Sequence, residues 1–124
     1  MALKPYLHMT WTVELHDDFE PELEALAEDV QDELLALLKL IEEFGPQLKR
    51  PHVDTLKGSK HANMKELRFN AADGVWRVAF AFDQNRKAII LVAGDKSGVG
   101  SEARFYKGLI AKADSRFDGH LNSL

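Results

Sequence analysis

Hydrophobic positions recur along the chain with two different periods. In MTWTVEL, residues 9–15, Trp11, Val13 and Leu15 alternate with Thr10, Thr12 and Glu14, the period-two signature of a strand with one buried face. The next segment switches period. DDFEPE offers Asp17 or Asp18 as an N-cap and places Pro21 in a first turn, where it is tolerated. This predicts a short helix to about Ala27 on Phe19, Leu23 and Leu26. A longer helix from about Asp29 is predicted by Val30, Leu34, Leu37, Leu38, Ile41 and Phe44, a stripe at 3.6-residue spacing that Gly45-Pro46 terminates. Together they read as an antiparallel helical hairpin.

Residues 46–62 are polar, with prolines at 46 and 51, and break the pattern as a connector. Three strands at hairpin spacing are predicted beyond it, at about 64–70, 75–83 and 87–94, joined by Asp73-Gly74 and Gln84-Asn85. The last of these, KAIILVAG, is continuously apolar, as expected of a central strand covered on both faces. After the glycine-rich GDKSGVGS, Ser101 caps a final helix whose Phe105, Leu109, Ile110, Ala113 and Phe117 face the core. The order β-α-α-β-β-β-α segregates helices from strands and gives an α+β fold with a mainly antiparallel sheet.

Length and composition narrow the function. The chain has 124 residues, 45% of them hydrophobic and 29% charged, as in one folded domain. It has no cysteine, and its five histidines have no HExxH-like spacing, so a metal centre finds no support. No apolar run is long enough to span a membrane, and MALKPYLHM lacks a signal-peptide core, so a soluble cytoplasmic protein is expected. The net charge of −4 conceals a segregation. Residues 14–43 carry twelve Asp/Glu against one Lys, whereas residues 44–116 carry fourteen Lys/Arg against seven Asp/Glu. A basic face for phosphate is one consequence; mutual attraction of the two halves inside the fold is the other.

The candidate chemistry lies on the hairpin. Strand alternation puts Leu67 and Phe69 on one face and Arg68 on the other, with Met64 and Glu66; Trp76, Val78, Phe80 and Phe82 share a face, and Arg77 takes the other above Ala79 and Ala81. Both arginines therefore share the side away from the bulky aromatics, opposite or diagonal. They make either a clamp for a phosphate or two solvated side chains, with Arg68 pairing Glu66 or Asp83. Lys96 in GDKSG is either a phosphate ligand or a turn lysine, and the P-loop spacing is absent. Tyr106 reads as a proton-transfer or stacking group, or as packing; His61 as an acid–base group, or as neither.

The runs LKGSKHANMKELRF, GVWRVAFAFD, AIILVAGDKSG and RFYKGLIAKADSRFDGHL resemble the RelE/ParE superfamily of type II toxin–antitoxin toxins, in particular its phage-derived, HigB-like branch. The likeness spans about residues 9–121, which makes 9–124 the toxin domain and 1–8 an N-terminal extension. It implies a RelE-like fold and an mRNA endoribonuclease that acts without metal or cofactor, commonly on the ribosome. In that chemistry the 2′-hydroxyl attacks the neighbouring phosphate to give a cyclic phosphate. It also implies a helix-turn-helix antitoxin as partner, through which alone operator DNA is reached. Carried over residue by residue, Arg68 matches the arginine of the family's ELR, Arg77 that of the next strand's [YW]R, and Lys96 a lysine ending the last strand. The implied catalytic set is Arg68, Arg77, Lys96 and Tyr106, with Lys57, Lys60 and His61 binding RNA. The chain departs from the pattern at Asp95, where many HigB-like proteins carry the first of two lysines. ParE-like gyrase inhibition and a non-catalytic interaction module are the alternative readings of the same fold.

Overall fold

The computed structural model describes residues 10–124; the expected extension, residues 1–8, lies outside them. Thr12–Leu15 forms β1, and Trp11, Val13 and Leu15 pack against the core as the alternation predicts. Helix α1 is Phe19–Glu24, shorter than expected, and α2 is Glu28–Phe44. The chain leaves α1 at Ala25 and re-enters a helix only after Ala27, whose ψ of 146° is extended. Gln31 bridges the break, its side-chain amide donating to the Leu26 carbonyl at 2.8 Å. Asp18 occupies the N-cap of α1 without a side-chain cap bond; its amide instead donates to His16 Nδ1.

The α2 stripe buries Val30, Leu34, Leu37, Leu38 and Ile41, but Phe44 stays exposed. Gly45 ends the helix at φ +53°, and a Cβ there would lie 2.3 Å from the Trp11 indole, so the stop also lets α2 meet β1.

A 3₁₀ turn, Gly45–Gln47, leads into the connector, which contains a strand missing from the sequence reading: β2, Val53–Thr55. It is only three residues long, too short for a legible alternation. The remaining strands are β3, Met64–Ala71, β4, Gly74–Phe82, and β5, Lys87–Asp95, followed by α3, Glu102–Asn122. The five strands lie in the order β1-β5-β4-β3-β2; only β1 with β5 is parallel. The β3–β4 turn falls one residue earlier than expected. Ala71 pairs with Gly74, leaving Ala72 and Asp73, both at positive φ, as a two-residue loop of the type that matches strand twist.

The sheet is covered on both faces. α1 and α2 cover one, around Phe19, Leu34, Ile41, Leu67, Val78, Phe80 and Ile90. α3 covers the other, with Leu109, Ala113 and Phe117 over Met64, Ala79, Ala81 and Ile89. A bulge joins the two patterns on β5. Ala79 pairs with Val92 but Phe80 pairs with Ile90, so Leu91 is an extra residue and the alternation of β5 inverts beyond it. Gly94 and Lys96 consequently lie on the α3 face, and Asp95 pairs with Trp76 on the other. Among the described residues no helix is long and apolar enough to cross a membrane.

Candidate functional site

Arg68 and Arg77 are directly opposed on β3 and β4. The Arg68 amide bonds outward to the His52 carbonyl, so the two arginines form a non-hydrogen-bonded pair, whose Cα atoms lie about 4.5 Å apart. Two like charges at that spacing repel unless an anion or a solvent path intervenes. Glu66, two residues before Arg68 on the same face, supplies the anion. Its Oε2 accepts from Arg68 at 2.9 Å, and its Oε1 accepts from the Tyr106 hydroxyl at 3.0 Å, with Arg77 Nε 3.9 Å away. Tyr106, from the second turn of α3, in turn accepts from Arg77 Nε at 3.2 Å, and Arg77 also donates to the Trp76 carbonyl.

The expectation of two arginines on an open face is therefore corrected in part. Arg77 is 7% exposed and Glu66 5%, because α3 lies over this face and brings Tyr106 down between them. Arg68, at the side away from α3, keeps 23% of its side chain in solvent. Ala79 and Ala81 do not floor a ligand pocket; they accommodate α3.

Lys96 joins this cluster because of the β5 bulge. Its ammonium lies 5.5 Å from the centroid of the Tyr106 ring and 2.5 Å from Glu102 Oε1 at the start of α3. The Lys96 hydrogen bond and charge, with smaller contributions from Arg77 and Arg68, hold the Glu102 carboxyl below its usual range. Three cations and two carboxylates thus group around one tyrosine side chain, a net single positive charge, with Arg68 and Lys96 each keeping about a fifth of the side chain in solvent.

Asp95 does not face this cluster. Its Oδ1 accepts from the amides of Val75 and Ser97 and from the Ser97 hydroxyl. It ties the end of β5 to the start of β4 and sets the turn from which Lys96 projects. Burial works against its ionisation, but the Ser97 hydroxyl and the two amides outweigh that and lower its pKa.

Lys57, Lys60 and His61 sit elsewhere. Lys57 is exposed on the β2–β3 loop. Lys60 and His61 both pair with Asp118, and Ser59 donates to Asp114, so this loop is clasped to the C-terminal half of α3. Twelve residues of helix separate Asp118 from Tyr106, roughly 18 Å at 1.5 Å per residue.

The residues that sequence reasoning missed are carboxylates. Glu66 figured there only as one possible partner of Arg68, and Glu102 not at all. The available signal for Glu102 was an acidic residue directly after the Ser101 N-cap, close in sequence to Lys96. A cavity of about 910 Å³ lies away from the cluster, between β1 and the C-terminal end of α3, lined by His16, Lys87 and His120 among others.

Against known proteins, a family model described as "Phage derived protein Gp49-like (DUF891)" matches residues 21–118. HigB2, a toxin candidate of Mycobacterium tuberculosis, is 38% identical over 112 residues, 90% of this chain and 54% of that protein, so the chain spans about half that relative's length. HigB3, a second toxin candidate of the same organism, is 41% identical over 99 residues, 80% of this chain and 83% of the other. Among solved structures, a double arginine-to-alanine variant of the Escherichia coli toxin RelE in the free state superposes with a TM-score of 0.60, covering 84% of this chain and 97% of that one. At 14% identity that likeness concerns the fold.

Proposed function

Because the chain belongs to the phage-derived Gp49-like family, and with it to the HigB-like toxins of the RelE superfamily, we propose that it is an mRNA endoribonuclease that arrests translation and is restrained by a cognate helix-turn-helix antitoxin. The observation that carries this reading is the grouping of three cations about Tyr106: Arg77 donates to its hydroxyl, Arg68 is linked to it through Glu66, and Lys96 lies over its ring. An arginine pair that served packing alone would need one carboxylate and no third cation. Here a lysine and a tyrosine are added at the rim, where a phosphate can reach them.

The chemistry uses the RNA's own 2′-hydroxyl. Its oxygen attacks the adjacent phosphorus while the bond to the 5′-oxygen breaks. The 2′-hydroxyl gives up a proton, the 5′-oxygen gains one, and a 2′,3′-cyclic phosphate and a 5′-hydroxyl result. Charge accumulates on the non-bridging oxygens in the transition state, where pre-positioned cations are most effective because they need no reorganisation. Arg68 and Lys96 are assigned to the phosphate. Arg77 is assigned to fixing Tyr106 and to the same charge. Tyr106, with Lys96, is assigned to the proton that the 5′-oxygen takes up. The reaction calls on no metal or cofactor.

Lys57, exposed on its loop, is assigned to an outlying phosphate. Lys60 and His61 reach RNA only by releasing Asp118. The ribosome supplies an mRNA held in an extended path, which favours in-line attack.

The buried pairing of Arg77 with the Glu66–Tyr106 network favours one second reading: a toxin-derived interaction module that binds its partner without cleaving RNA. Inducible expression separates the two. Wild type should stop growth and labelled-methionine incorporation within minutes, and Arg68→Ala/Lys96→Ala should do neither while remaining folded. Continued protein synthesis under wild-type expression would favour the module.

A further inference from the structure

The two carboxylates of the cluster are held very differently. Glu66 is buried on β3 and bonded on both oxygens. Glu102 projects from the first turn of α3 with 65% of its side chain exposed, and Lys96 is the hydrogen-bond partner of its carboxylate. Its carboxylate is nevertheless within electrostatic reach of Arg77 and Arg68 as well as Lys96. It therefore stands where the three cations of the cluster act together on a negative group entering from solvent. Lys96 keeps only 20% of its side chain in solvent, and Glu102 holds its ammonium at 2.5 Å.

We propose that Glu102 is a tethered competitor for the phosphate-binding position at Lys96 and sets which anions the cluster accepts. Binding a phosphate there exchanges one anion for another at the same ammonium. An isolated monoanionic phosphate gains little from that exchange. A ligand with several adjacent negative charges displaces the carboxylate because its other charges engage Arg68 and the rest of the basic surface. The cluster thus discriminates by charge number, in favour of a polyanionic strand over single phosphate esters. Displacement itself is cheap, since the carboxylate swings into water without leaving a buried charge unpaired. The inference deepens the ribonuclease reading and rests on it for the identity of the strand, but the anion competition is measurable by itself.

The test uses Glu102→Gln, which keeps the shape of the side chain and removes its charge, in the full chain. Inorganic pyrophosphate is titrated by NMR, and an RNA oligonucleotide made uncleavable by 2′-deoxy substitution is titrated by fluorescence anisotropy. Glu102→Gln should bind both roughly three- to fivefold more tightly at low salt, with the gain shrinking as ionic strength rises. In a Lys96→Gln background the same change should have little effect, because the contested ammonium is gone. Unchanged or weaker binding by Glu102→Gln overturns the inference and makes Glu102 a residue that holds Lys96 in place. Failure of wild type and variant alike to bind pyrophosphate overturns it too. RNA cleavage by wild type is followed in parallel: tighter pyrophosphate binding by the variant with no cleavage by wild type would sink the ribonuclease reading and leave the competition intact.

Discussion

Arg77 and Glu66 make each other's burial tolerable. Each would be costly under α3 alone, and the Tyr106 hydroxyl completes the contact by accepting from one and donating to the other. A buried ion pair of this kind adds little net stability, but removing one member strands the other. Arg77→Ala is therefore expected to destabilise the fold by about 3 kcal/mol. Arg68→Ala, at a partly solvated position, should cost about 1 kcal/mol or less. Urea unfolding of the two variants checks this, and equal, small losses would mean that Arg77 is not bound as described. The shared face of the two arginines was legible from strand alternation. Their unequal burial was not, because it depends on where α3 lies, and helical periodicity does not say which strands a helix covers. For the same reason Arg68, not Arg77, is the clean functional probe.

At the scale of elements, the decisive feature is the bulge in β5. Strict alternation from Ile90 would send Lys96 to the α1–α2 face; the extra residue at Leu91 sends it to Tyr106. AIILVAG, residues 88–94, is apolar throughout, so no polar position marked the inversion in the sequence, and only the resemblance grouped Lys96 with the arginines. The turn that follows depends on Asp95. In the folded protein its pKa lies below the ordinary 3.8, so its contribution to stability is present above about pH 3.8 and is lost as pH falls through the folded value. Asp95→Ala should cost about 1 kcal/mol at pH 7, the worth of hydrogen bonds at an exposed turn, and clearly less at pH 3. Asp95→Asn, which keeps the accepting oxygen, should fall between them. A pH-independent loss in Asp95→Ala would show that the carboxylate charge is not what holds the turn. Nearby, Gly74 is required by close approach: a Cβ there would meet the Trp76 indole at 2.6 Å and the Asp95 carboxylate at 2.9 Å. The three-residue β2 escaped the sequence reading because its pairing with β3, and no pattern of its own, defines it.

Over the whole molecule, the sheet separates two charge populations. The acidic residues of α2 point outward on one side, while the partly exposed Arg68 and Lys96 lie on the other beside α3. Among the described residues, ion pairs join the populations at two places: Arg116 of α3 grips Glu22 of α1 with both terminal nitrogens, and Lys87 reaches Glu14. The segregation visible in the sequence thus polarises the molecule, and on the proposed function this would orient an RNA strand toward the cluster and away from the helical hairpin. Whether that cluster cuts RNA is the question on which the proposed function turns. The most direct measurement is transcriptome-wide mapping of 5′-hydroxyl ends after brief induction of wild type and of Arg68→Ala/Lys96→Ala. New internal 5′-hydroxyl ends, each matched by an upstream 2′,3′-cyclic phosphate and absent in the folded double variant, are the predicted result. Growth arrest without new ends, or ends that carry a 5′-phosphate, would contradict it.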